Sequence, residues 1–380
     1  MQRDYPNLAP YLQEMVNRKA SDLYLTHGCP PSLRLSDSIL SLGRELITDE
    51  QLQGYLQELL SEEQRDEYES TLEMNTAIPW QDHSRFRINV FQQQQHISIV
   101  IRRIITEIPT IESLGLPKPY ADLIMRPRGL VLVVGPTGSG KSTSLAAMLG
   151  HRNEFGAGHI VTIEDPIEFV HHHKGCIISQ RDVGIDTYSY GIALKNALRQ
   201  RPDVVLIGEI RDRETMEHAI NFAETGHLCV STLHSNNANQ AIERIINFFP
   251  EEKHQQIRLN LSLNLRGILS QRLVLNSQGR RSLAVEIMLN NGLIKSLIEQ
   301  GKIREIKDMM DRGRSEGMQT FDQSLFDLCQ QGIITEEVAI AEADNPANIK
   351  LQFKQAQTTQ RLSPKAPPVA QSGGSDSFKI

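Results

Sequence analysis

Eight consecutive residues, Gly135, Pro136, Thr137, Gly138, Ser139, Gly140, Lys141 and Ser142, spell G-x-x-x-x-G-K-S, and Thr143 follows. These types at this spacing suit the holding of a polyphosphate. Glycines let backbone N–H groups turn inward around phosphate oxygens. The lysine ammonium supplies a point charge for the β- and γ-phosphates, and the serine hydroxyl is a ligand for Mg²⁺. An apolar run precedes the loop, and an apolar helical segment, Leu145 to Leu149, follows it. The spacing predicts a strand, a tight loop and a helix whose positive N-terminus faces the same anion.

Holding a phosphate is not hydrolysing it. Turnover needs a group that orients or deprotonates water. Glu209 follows four apolar residues and Gly208, and a carboxylate at the tip of a buried strand is costly unless it is used. Many P-loop enzymes carry an aspartate where Gly208 stands, so the metal-holding role is expected elsewhere. Glu164, Asp165 and Glu168 supply it, three acids just past another apolar run. Clustered carboxylates repel each other unless a cation is present. Glu168 is the preferred contact for Mg²⁺, with Ser142. A further strand is flanked by His227 and His234, and His234 follows its strand as Glu209 follows its own. That position suits a sensor of the γ-phosphate. The triplet His171, His172 and His173 has no second ligand group at metal-like spacing.

These residues need elements to position them. Short apolar runs at 129–134, 160–163, 204–207 and 228–231 alternate with helical segments. This is the pattern of a parallel sheet covered on both faces, and the chemistry falls just beyond the ends of its runs. After Pro250 the chain reads as mostly helical. The first hundred residues read as a separate small α/β unit. Leu8, Leu12, Met15 and Val16 have helical spacing, residues 22–26 and 32–36 alternate like strands, and Thr48/Gln51 and Ser61/Gln64 are capping boxes. Phe86, Ile88 and Val90 alternate with Arg85, Arg87 and Asn89, and a second strand ends at Arg102 and Arg103. Three prolines in the stretch 107–119 mark a boundary. The expected domains are therefore 1–108, 109–350 and a disordered tail over 351–380, rich in Gln, Ser, Pro and Gly, whose charge is about +3.

Composition removes several classes of function. The chain has 380 residues and no apolar run longer than five, so a spanning helix of about 20 residues is not expected. Its start lacks the apolar core of a secretory signal. Four dispersed cysteines fit a reducing compartment rather than a disulfide framework or a zinc ribbon. The net charge of −6 and an aromatic content of 5% weigh against a nucleic-acid translocase, which needs basic grooves and stacking aromatics. A ring that binds nucleotide without hydrolysing it is disfavoured by Glu209.

GPTGSGKST, TIEDPIEF, LIGEIRD and ETGHLCVSTLH, in that order, resemble the secretion and pilus motor ATPases. ASDLYLTHGCPPSLRL and RFRINVF narrow the resemblance to the type IV pilus retraction branch, PilT and PilU. The segment from Gly317 to Leu328 and the length look more like PilU, and Leu293 to Ile298 departs from the PilT-type helix motif. The resemblance covers roughly residues 8–350. It implies an α/β chain with a PAS-like N-terminal domain, then a RecA-like P-loop ATPase domain with a helical C-terminal region. It also implies a cytoplasmic homo-hexamer at the inner face of the inner membrane, using ATP and Mg²⁺. The implied partners are a PilT-like retraction ATPase and the inner-membrane platform protein, with no nucleic acid. Arg87 and Arg102 match arginines that this family lends to a neighbouring subunit's site. The implied function is an accessory, PilU-like retraction motor. The main PilT-type motor and a nucleic-acid translocase are the alternatives.

Overall fold

The computed structural model describes residues 5–35, 38–80, 85–104 and 107–362, with side chains described through residue 356. The first elements are α1 (Ala9–Asn17), β1 (Asp22–Thr26), β2 (Ser32–Leu35), β3 (Ser38–Ser41), α2 (Asp49–Leu59), α3 (Glu62–Thr71), β4 (Glu73–Pro79), β5 (Arg85–Gln93) and β6 (His96–Ile104). Their strands form one antiparallel sheet in the order β3-β2-β1-β6-β5-β4. The capping boxes at Thr48 and Ser61 start α2 and α3. Phe86, Ile88 and Val90 are fully buried, and the arginines beside them are half-buried. The helices cover one face of this sheet with Leu8, Leu12, Leu52, Leu56 and Tyr68. Trp80 packs at the rim of that core, its ring 6.3 Å from Tyr5 and 6.0 Å, edge-on, from Phe86.

The second sheet is built from α4 (Lys118–Ile124), β7 (Gly129–Val134), α5 (Lys141–Phe155), β8 (Gly158–Glu164), β9 (Cys176–Asp182), α6 (Tyr190–Ala197), β10 (Val204–Ile207), α7 (Arg213–Glu224), β11 (Leu228–Leu233), α8 (Ala238–Asn247), α9 (His254–Asn264), β12 (Leu265–Leu275) and β13 (Arg281–Leu289). Its order is β13-β12-β7-β11-β10-β8-β9, parallel from β12 through β9. β7, β10 and β11 are buried at every residue, as continuous apolar runs require of a sheet covered on both faces. The remaining helices are α10 (Gly292–Gln300), α11 (Ile306–Arg312), α12 (Phe321–Gln330), α13 (Glu336–Glu342) and α14 (Pro346–Leu362).

The chain divides into two compact units, Met1–Arg272 with Glu286–Gln319, and Leu273–Val285 with Thr320–Ile380. Two features depart from the sequence reading. The stretch after Pro250 contains β12 and β13, two long strands. The second unit also has its own core, made of Val274, Ala284, Phe321, Leu325, Ile334, Ala339, Ile349 and Phe353. The expected tail from 351 is therefore corrected at its start. Residues 351–362 continue α14, because Ile349 and Phe353 are buried and Phe353 stacks on Phe326 at 5.0 Å. Residues 363–380 lie outside the described residues. Among the described residues no helix is long and apolar enough to cross a membrane.

Candidate active site

Parallel strands end on one edge of their sheet, and ligands of open α/β sheets bind beyond those carboxyl ends. Here Val134 pairs with Leu233, and Ile207 pairs with Ser231 and Ile163. The residues that follow, the P-loop, His234, Glu209 and Glu164, therefore share one edge. A cavity of about 340 Å³ opens there. It is lined by Thr137, Gly138, Lys141 and Ser142 on one side, by Glu164, Asp165 and Glu168 on another, and by Glu209 and His234 between them.

Gly140 ends the loop with φ +86°, which side-chain-bearing residues rarely adopt, and α5 begins at the next residue. Lys141 Nζ donates to the carbonyls of Gly135 and Pro136, each at 2.9 Å. Burial pulls its ammonium below the ordinary lysine range, and the nearby charges of Glu209 and Glu168 act in the opposite direction. Ser139 Oγ is buried without a hydrogen-bond partner. Pro136 lines an adjoining cavity with His234. Thr143 sits in the first turn of α5, outside both linings.

Glu209 is held at both oxygens. Oε1 lies 3.0 Å from His234 Nε2, and Oε2 accepts from Arg211 Nε at 2.7 Å. Arg211 also stands 3.9 Å from Asp165. Burial lowers the His234 pKa and the Lys141 charge lowers it further, while Glu209 raises it. Glu164 accepts from Thr162 Oγ1 at 2.6 Å and from Gln180 Nε2 at 3.2 Å. Burial nevertheless pushes its carboxyl up to about 7. Thr232 Oγ1 donates to the Gly208 carbonyl at 2.7 Å and Ser231 Oγ to that of Ile207 at 2.7 Å, pinning the tip of β10 to β11. Gly208 is tightly enclosed. An added Cβ would stand 3.0 Å from Tyr190 Oη and 3.2 Å from Glu164 Cα.

Beyond the P-loop and Thr143, three expected site residues lie outside the cavity lining. His227 precedes β11, whereas the cavity lies past its far end, about 20 Å along the six-residue strand. Its Nδ1 lies 3.1 Å from Thr225 Oγ1 and 3.3 Å from the Phe222 carbonyl. It is corrected from nucleotide contact to a role at the turn between α7 and β11. Arg102 Nε donates to buried Asp22 at 2.7 Å, across the β1–β6 pair. Arg87 lies opposite Arg102 on β5 and bears electrostatically on buried Asp182, while Arg85 stands 4.0 Å from Asp186. Neither Arg87 nor Arg102 lines this chain's cavity.

The sequence reading did not single out Arg211, Tyr190 or Thr232. Arg211 was within reach of it, two residues after Glu209 in LIGEIRD. Tyr190 comes from a separate helix that only the fold brings in. Of the histidine triplet, His171 lines the cavity, buried, with its pKa pushed down to about 4 chiefly by that burial. His173 Nδ1 accepts from the Ile178 N–H at 3.1 Å.

The family model described as Type II/IV secretion system protein matches residues 7–363. The type IV pilus ATPase PilU of Pseudomonas aeruginosa is 48% identical over 344 residues, 90% of this chain and 90% of that protein. The type IV pilus retraction ATPase PilT of the same organism is 40% identical over 329 residues, 87% of this chain and 96% of that one. A crystal structure of the pilus retraction motor PilT with bound ADP superposes with a TM-score of 0.83 at 40% identity, covering 90% of this chain and 98% of that chain. Matched along nearly all its length, the chain belongs to the type II/IV secretion system protein family, within its PilT and PilU branch, with PilU the more similar of these two.

Proposed function

We infer that this chain is an ATP hydrolase, a hexameric motor for type IV pilus retraction that acts as a PilU-like accessory to a PilT-like motor. The observation that carries the enzymatic part is one cavity holding Lys141, Ser142, Glu168 and Glu209 together. In this reading the antiparallel sheet is a PAS-like domain and the parallel sheet a RecA-like core. The site fits Mg²⁺, because a hydroxyl and carboxylates are hard oxygen donors around one space. Ser142 and Glu168 would hold the ion, which when bound neutralises charge on phosphate oxygens.

The chain's own residues do the rest. Lys141 leaves the carbonyls of Gly135 and Pro136 for the β- and γ-phosphates, which explains two hydrogen bonds made to nothing but its own loop. Glu209 orients the attacking water and takes its proton once phosphate draws Arg211 or His234 away. His234, shared between both cavities at this edge, senses the γ-phosphate. Glu164 and Asp165 form the outer acidic wall. Arg87 and Arg102 act from an adjacent subunit. The partners are copies of this chain, a PilT-like ring and the inner-membrane platform protein, at the cytoplasmic face of the inner membrane. A clean deletion, alone and beside deletion of a PilT-like motor, tests the reading through surface pili, twitching and infection by pilus-specific phage. Loss of retraction under load with pili still assembled is expected. Unaltered retraction in both backgrounds would sink it.

A further inference from the structure

Three side chains outside the cavity meet at one end of the antiparallel sheet. His27 follows the last residue of β1, His96 opens β6, and Asp49 is the first residue of α2. β1 and β6 are antiparallel neighbours with Thr26 opposite Ser98, so one ends where the other begins. The two-residue turn Gln94–Gln95, both at positive φ, delivers His96 to that place. Asp49 Oδ1 lies 2.9 Å from Nδ1 of His27 and 2.9 Å from Nδ1 of His96, and Oδ2 lies 3.0 Å from the latter. The two imidazoles are stacked, centroids 4.0 Å apart and planes 7° from parallel.

Asp49 alone is accounted for by the first turn of α2, where a negative charge opposes the helix dipole. Two imidazoles that turn the same ring nitrogen onto one carboxylate are not. Their ligand atoms and that of Asp49 lie within 4.8 Å of one another, and among the described residues this is the one such group of histidine, cysteine or acid. We propose that His27, Asp49 and His96 bind a divalent transition-metal ion of the zinc class.

Two imidazole nitrogens and a carboxylate oxygen form a donor set that suits zinc and its neighbours, whereas magnesium and calcium favour oxygen alone. A tetrahedral ion about 2.0–2.1 Å from each ligand spaces the ligand atoms about 3.3 Å apart. The two imidazole-to-carboxylate separations are only a few tenths of an ångström shorter, and the stacked rings must tilt out of parallel for both ring nitrogens to point at one ion. All three side chains are partly open to solvent, which gives the ion a path in and water as its remaining ligand. The ion joins the end of β1, the start of β6 and the first turn of α2.

The test uses the full chain, nucleotide-free and stripped with chelator, titrated with Zn²⁺ by calorimetry and with Co²⁺ by visible absorption. One Zn²⁺ per chain at micromolar affinity or tighter is expected, with Co²⁺ bands of a low-coordinate site. His27→Ala or His96→Ala should weaken Zn²⁺ by at least about 10-fold, since even changes outside the ligand set cost about that much. The double variant should lose the site, and His172→Ala/His173→Ala should keep it. ATP turnover measured without Zn²⁺ should not change in any of them. Absence of Zn²⁺ binding to the native chain, or undiminished binding by the double variant, overturns the proposal. If the double variant melts differently in chelator, Asp49→Asn decides instead. It keeps the size and one acceptor oxygen while removing the charge, and native affinity in it also overturns the proposal.

Discussion

Glu209 concentrates the chemistry at the residue scale, because its two oxygens are already engaged by His234 and Arg211. Under the proposed role, Glu209→Gln keeps the shape and removes the base. ATP affinity by calorimetry should stay near native while phosphate release falls about 10²-fold or more. Near-native release would move the role to Glu168. Glu164 carries a different expectation. Its folded pKa, about 7 against the ordinary 4.5, means that the folded chain binds this proton more tightly than the unfolded chain. The stability it contributes is fully present below about pH 4.5 and is lost as pH rises through 7, by roughly 3 kcal/mol at most. Glu164→Gln should flatten that window in denaturant unfolding of the nucleotide-free protein. Equal pH slopes for native and variant would refute the assignment. At this scale the strand–loop–helix placement of the P-loop is legible because it is set by contiguous residues. The pair of Glu209 with His234 was only half legible. Each was placed at a strand tip, but that the tips are neighbours depends on strand order. His227 misled because flanking a strand does not say which end faces the cavity.

At the scale of elements, the tip of β10 explains why this chain has glycine at 208. The side-chain position is crowded by the Tyr190 hydroxyl and the backbone of Glu164. Gly208→Asp should overfill the site and destabilise the protein by about 1–3 kcal/mol, read by denaturant midpoint. Gly208→Asp with Tyr190→Ala should recover part of that loss, and no recovery would place the strain elsewhere. The apolar runs β7, β10 and β11 could be read from sequence because nothing polar interrupts them. β12 could not be read that way. Its interior holds Ser270 and Gln271, fully buried, with Ser270 Oγ donating to Glu286 at 3.1 Å and Gln271 Nε2 donating to Ser144 and Tyr120 at 2.6 and 3.0 Å. The partners that Gln271 Nε2 finds, Ser144 and Tyr120, are distant in sequence, so the hydropathy pattern carries no sign of a strand.

At the scale of the whole molecule, two expectations concern assembly. Phe353 belongs to the core of the second unit, so Phe353→Ala should cost that unit about 3–5 kcal/mol. Leu351→Ala, on an exposed position of the same helix, should be nearly neutral. Hydrogen exchange resolved by segment would separate them, and equal effects would refute the packing of α14. The arginine question needs more than one chain. Arg87→Ala subunits should fold and bind ATP yet hydrolyse it poorly, a loss of roughly 10³–10⁵ where such groups are donated. Mixed with Lys141→Ala subunits, they should regain part of the activity neither has alone, because each supplies what its neighbour lacks. Confirmed mixing without recovery would leave Arg87 as the partner of Asp182 within its own chain.

The lone tryptophan gives the protein a built-in gauge. Trp80 is the single indole in the chain and rests on Tyr5 and Phe86 at the rim of the antiparallel sheet, while the cavity beside the P-loop contains none. Selectively excited emission therefore reports one sheet and is silent about the other. A change in its colour or quenching when nucleotide enters marks a binding event felt at the antiparallel sheet, either through the chain or from an adjacent subunit's site, with no label attached.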